Sequence, residues 1–169
     1  MQKPKRINKK QNGKIVSPLD DPDLVLWVLL DQTRDVLSKA RELELDQYKL
    51  SRVQAMVLFT LFNENRDLTI PEMSNAIVRE LNSVLSLVNR MEKVGLVKKV
   101  RSTSKDKVKI ALTEKGRTLY TNTTWLSIKM IFSVLSEEEK QQLYSCLKKV
   151  RSKARELLGL GYKPPFCRN

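Results

Sequence analysis

The chain contains no histidine, which removes the commonest general base and the commonest metal ligand. Its two cysteines, Cys146 and Cys167, lack the paired spacing of a metal site. There is no glycine-rich phosphate loop and no nucleophile elbow. With no catalytic constellation left, an enzyme is not expected, nor a cofactor or a metal. The apolar run Leu24–Leu30 is seven residues long, whereas a bilayer span needs roughly 20, so no membrane partner is expected. No internal repeat or low-complexity segment is present. Acid is the scarcer charge, with 19 Asp and Glu against 32 Lys and Arg, a net charge of +13 and a pI near 9.9. A field of that sign favours a polyanionic partner, nucleic acid before an anionic surface.

What is present fits one globular domain. The 169 residues, 41% hydrophobic and 30% charged, suffice for a real core. Residues 1–22 read as a basic arm and linker. Lys3, Lys5, Arg6, Lys9, Lys10 and Lys14 carry its charge, and a Pro-rich turn ends it. Such an arm either solubilises or adds phosphate contacts. Residues 23–50 read as an N-terminal helix, apolar on every side at its start and so covered from two directions, by its own lobe and by a partner.

Residues 51–112 carry the argument. Ser51 caps a helix whose buried side reads Val53, Met56, Val57, Leu61 and Phe62. Thr69 caps a second helix, with Pro71 and Glu72 in its first turn. A third starts near Asn82 or Ser83 and stops at Gly95. Val84, Leu87, Val88, Met91 and Val94 share one face of it. Asn82, Ser86, Asn89 and Lys93 share the other, with Arg79 and Arg90 at the margin. That polar face is rich in amides and cations, the residues that read base edges and phosphates. Leu-Val-Lys-Lys-Val-Arg (96–101) and Val-Lys-Ile-Ala-Leu (108–112) read as two strands around a basic tip. Two helices and a basic hairpin make a winged helix-turn-helix.

Residues 113–158 read as two further helices. A long one, capped by Thr113, runs to about Val134. The last opens with a Ser136–Glu139 capping box. Along it Leu143, Leu147, Val150, Ala154 and Leu157 recur at spacings of 4, 3, 4 and 3, a seam that asks for a partner helix. Residues 159–169 form a tail. Cys146 lies beside the seam as a core or interface residue, and Cys167 lies in the tail.

Val-Asn-Arg-Met-Glu-Lys-Val-Gly-Leu-Val (88–97), the hairpin, and Leu-Thr-Glu-Lys-Gly (112–116) resemble the MarR family of bacterial transcription regulators. The specific match spans about residues 68–116, and the helical layout extends it to about 23–158. The resemblance implies a mainly α fold with a small β wing, a winged helix-turn-helix with long N- and C-terminal dimerisation helices. It implies a cytoplasmic, nucleoid-associated homodimer from a bacterium or archaeon. Such a dimer binds double-stranded DNA at an inverted repeat, acts as a repressor, and is released by a small-molecule effector or by oxidation. The family's oxidant-sensing cysteine lies near the N-terminal helix, where this chain has none. Expected DNA contacts are Thr69, Arg79, Asn82, Ser83, Leu85, Ser86, Asn89, Arg90, Lys93, Lys99, Arg101, Lys105 and Lys107. Expected effector-pocket residues are Trp27, Arg34, Tyr48, Phe59 and Tyr120. The dimer interface is expected at Trp27, Leu143, Leu147, Val150, Ala154 and Leu157. The wing departs from the family pattern, since Asp106-Lys107-Val108 has no Arg at its third place. The wording around Asn89 is similar to family members from organohalide-respiring bacteria, which implies a halogenated effector. Two alternatives stay open, a non-specific architectural DNA binder and a protein-interaction adaptor built on a winged helix.

Overall fold

A computed structural model describes residues 20–101 and 108–160. The wing tip with Lys105 and Lys107, the basic arm, and the tail with Cys167 lie outside the described residues. The chain opens with α1 (Pro22–Leu45), capped by the Asp21 carboxylate, which accepts from the amides of Asp23 and Leu24. Its first two turns stay uncovered on the single chain, with Trp27 67% exposed. A 3-10 turn (Asp46–Tyr48) leads to α2 (Arg52–Glu64), where Ser51 and Gln54 form a reciprocal capping box. Val57, Leu58 and Leu61 make the buried side of α2, and Met56, expected inside, is exposed.

The lobe continues through β1 (Leu68–Thr69), α3 (Ile70–Ile77), α4 (Leu81–Lys93), β2 (Val97–Arg101) and β3 (Val108–Leu112). β1 was not expected, since two residues are too short to show a period of two. It pairs antiparallel with β3, Leu68 opposite Ile110, giving a three-stranded sheet in the order β1-β3-β2. Leu45, Leu58, Leu68, Met73, Val84, Val88, Met91, Val97 and Ile110 close the core between helices and sheet. Each is fully buried, and burying such a side chain is worth roughly 1.5–3 kcal/mol.

Two expectations about helix ends need correction. Val94 does not join the buried face of α4 but is 50% exposed. The helix ends at Lys93, Gly95 turns the chain with φ 75, and Leu96 N–H returns to Met91 O at 2.9 Å, so Val94 leaves the helical period. The single long helix expected from Thr113 to Val134 is two, α5 (Glu114–Asn122) and α6 (Leu126–Phe132). The break is capped from a distance by Glu44 of α1. Its carboxylate accepts from Thr124 Oγ1, Leu126 N, Ser127 N and Ser127 Oγ. α7 (Glu137–Leu157) starts at the expected Ser136 box, and Gly159 follows it with φ 65.

Candidate nucleic-acid interface

α4 is split into two faces. Val84, Leu87, Val88 and Met91 are buried, while Asn82, Ser83, Leu85, Ser86, Arg90 and Lys93 are exposed. Asn89 is half-buried, and the structure shows why. Lys99 of β2 reaches back across the helix, its Nζ 2.5 Å from Asn89 Oδ1 and 2.9 Å from Glu92 Oε2. The Lys99 amide also donates to Glu92 Oε1 at 3.0 Å. These bonds from Lys99 hold the Glu92 carboxyl below its ordinary range. Asn89 and Lys99 were expected as separate DNA contacts, but the fold makes them one unit.

Arg79 lies exposed in the turn between α3 and α4. It shares a cavity of about 210 Å³ with Arg90, Ser83 and Ser51. Two guanidinium-bearing residues and two hydroxyls at one concavity suit an oxyanion. Ser51 was read only as a helix cap, and nothing in the sequence brings it beside Arg79 and Arg90. Thr69 serves the fold. Its hydroxyl accepts from the Glu72 amide and donates to Glu72 Oε2, and its own amide meets the same carboxylate at 2.8 Å. Burial raises the Glu72 pKa, but the Thr69 bonds and Arg66 outweigh it and leave the group lowered. Arg101 closes β2 as an exposed residue opposite Val108.

The Leu-Thr-Glu-Lys-Gly segment explains itself as a seam between α5 and the end of α4. Thr113 Oγ1 donates to Gly95 O at 2.7 Å and accepts from Gly116 N. Lys115 Nζ binds Val94 O at 2.8 Å. Leu112 pairs with Val97 in the sheet.

The five expected effector residues fall into two places. Tyr120 packs against Phe59 and Phe62, and its ring stands 5.8 Å from Trp125. Burial raises its pKa. Tyr48 accepts from Thr124 N and donates to Thr124 Oγ1 at the same junction. Arg41 lies 4.6 Å over the Trp125 ring and pairs with Glu44 at 2.6 Å. Tyr48, Phe59 and Tyr120 thus come together where α1, α2 and α5 meet. Trp27 and Arg34 lie farther along α1, about 21 and 10 Å from Arg41 by the helical rise. Arg34 is exposed and paired with Asp31 and Asp35. The seam residues Leu143, Leu147, Val150, Ala154 and Leu157, and Cys146 beside them, are exposed on the single chain.

No family model and no curated protein matches the chain. Solved structures do. The organohalide-sensing regulator RdhR-CbdbA1625 in its 2,4-dichlorophenol-bound form is 26% identical, covers 88% of each chain and gives a TM-score of 0.70. AbsC, a MarR family regulator from Streptomyces coelicolor, is 20% identical over 80% of this chain and 96% of its own, with a TM-score of 0.73. A MarR variant from E. coli in complex with operator DNA is 18% identical over 74% and 92%, with a TM-score of 0.68. The chain has the MarR-family winged-helix fold. These neighbours of the MarR fold are transcription regulators rather than enzymes. Among the described residues no helix is long and apolar enough to cross a membrane.

Proposed function

We propose that the chain is a DNA-binding transcription regulator that acts as a homodimer on an inverted repeat, with α4 as its recognition helix. The observation that carries this reading is the outer face of α4. It offers Asn82, Ser83, Ser86, Arg90 and Lys93 to solvent without an acid among them, while Val84, Leu87, Val88 and Met91 fix the helix on the core. Arg79, Leu85, Asn89, Lys99 and Arg101 border that face, while Lys105 and Lys107, expected as contacts too, lie outside the described residues. The uncovered apolar start of α1 and the seam on α7 support a second copy as their cover. Repression released by a small molecule is the mode we favour. The dichlorophenol carried by the organohalide-sensing neighbour makes chlorinated aromatics the first ligands to screen. The test is a footprint upstream of the chain's own gene at about 0.15 M salt, where weak charge-driven binding is tempered. A protected inverted repeat of about 20 bp, two half-sites on successive turns, is expected. Diffuse protection lost with modest added salt, on this and other promoters, would overturn it in favour of an architectural binder.

A further inference from the structure

The side-chain amide of Asn89 has an accepting end and a donating end, and the fold treats them differently. Lys99 Nζ stands 2.5 Å from the first. An ammonium has three donors and no acceptor, so the atom it faces is the amide oxygen, and chemistry settles which way round the amide sits. Glu92 holds the same lysine twice. Its Oε2 lies 2.9 Å from Lys99 Nζ, and its Oε1 accepts from the Lys99 amide at 3.0 Å. The two side chains are only 30% and 37% exposed, so water and salt screen the pair less than a fully exposed one. At the other end, Asn89 Nδ2 meets no acceptor among the described residues.

Asn89 shares the outer side of α4 with Asn82, Ser86 and Lys93, at intervals of 4, 3 and 4. A base edge that approaches this side therefore meets an amide with its donors unspent and a cation bound to its oxygen. In the major groove guanine presents two acceptors, N7 and O6, whereas adenine presents the acceptor N7 and the donor N6–H₂. The usual asparagine contact to adenine has the amide oxygen accept from N6–H₂. The Asn89 oxygen keeps a second lone pair, but the ammonium beside it repels another positively polarised N–H. The bond already accepted from Lys99 also strengthens the donors of the same amide. Thymine offers one acceptor beside a methyl group, and cytosine a donor, so guanine is the edge with two acceptors to give.

We propose that Lys99, held by Glu92, is a positioning residue that turns Asn89 from a reader of adenine into a reader of guanine. Lys99 acts through Asn89 and sets which base the helix accepts at that step. The inference rests on the regulator reading, with α4 in the major groove.

The test is selection of bound sites from a random duplex library by the purified full chain, followed by competition titrations. Asn89→Ala identifies the base pair that Asn89 reads, as the position whose preference disappears. Wild type is expected to select guanine there, at least about tenfold over adenine. Lys99→Met keeps the apolar stem without a donor. It is expected to lower the guanine-to-adenine ratio at least about tenfold at that position and to leave the neighbouring positions as they are. Lys99→Arg keeps a cationic donor and is expected to retain guanine. A lysine that only steadied the fold would weaken all sequences alike and leave the ratio unmoved. Adenine at that position in wild type would overturn the inference, as would an unchanged ratio in Lys99→Met, a ratio in Lys99→Arg as low as in Lys99→Met, or unaltered selection by Asn89→Ala. In each of those cases wild type still selects a sequence, so the regulator reading stands and the role of Lys99 alone falls. If wild type enriches no sequence at all, the regulator reading falls and the inference falls with it.

Discussion

Gly116 of α5 lies so close beneath Leu96 that a Cβ built on it would stand 2.1 Å from the Leu96 carbonyl oxygen. The same oxygen accepts from Thr113 N and Thr113 Oγ1, so it cannot swing aside without breaking the start of α5. Gly116→Ala is therefore expected to destabilise the protein by about 3 kcal/mol or more, in the range of severe overpacking. Urea unfolding measures it. A loss below about 1 kcal/mol would show that α5 can shift away from β2 at little cost.

The Lys99 bridge predicts how salt governs binding. Lys99 is tied to Glu92 and Asn89, so one cation of the face is neutralised within the protein. Glu92→Gln removes that charge and frees Lys99 for a phosphate. Anisotropy titrations on random duplex are expected to show a slope of log K against log salt steeper by about one. An unchanged slope would mean that Lys99 does not reach the backbone.

Acid stability reports on Glu44. The residue is 7% exposed, and burial alone would raise its pKa. Bonds from Ser127, Thr124, the Leu126 amide and Arg41 outweigh that and bring it from 4.5 to about 2. The folded pKa is the lower one, so the unfolded chain holds the proton more tightly. The stabilisation is complete above about pH 5 and is lost as the pH falls towards about 2. Glu44→Gln is expected to cost on the order of 2 kcal/mol at neutral pH. It should also flatten the acid limb of a stability–pH curve, Glu72 keeping part of it. An acid limb as steep as wild type would assign the pH dependence elsewhere.

The elements that were readable from residues alone share a local cause. Ser51, Thr69, Thr113 and Ser136 each cap the helix that follows through the amide three residues on, a signal confined to a few positions. The buried and exposed faces of α4 were readable because the helix keeps one period from Val84 to Met91. What escaped is non-local. The cap of α6 comes from Glu44, 80 residues from Thr124 in the chain, so no spacing around Thr124 announces the break. The two-residue β1 exists only because Ile110 stands beside Leu68. The half-burial of Asn89 comes from β2 crossing over it, and the meeting of Ser51 with Arg79 and Arg90 comes from α2 and α4 both packing on α3.

Among the described residues five positions that follow a helix or 3-10 turn are left-handed, and one of them, Val78, is β-branched. After α4 and α7 the place is held by Gly95 and Gly159, with φ 75 and 65. After α3 it is held by Val78 with φ 53, while Arg79 N–H returns to Ser74 O at 3.1 Å. A Cβ in that region costs roughly 1–2 kcal/mol, and branching adds to it. Val78→Gly is expected to stabilise the protein by about 1 kcal/mol, less the entropy glycine gives the unfolded chain, and to raise Tm by a few degrees. Val78 is half exposed, so little burial is lost in exchange. Thermal unfolding by circular dichroism checks the sign. A lower Tm would mean that the Val78 side chain makes contacts that outweigh its backbone strain.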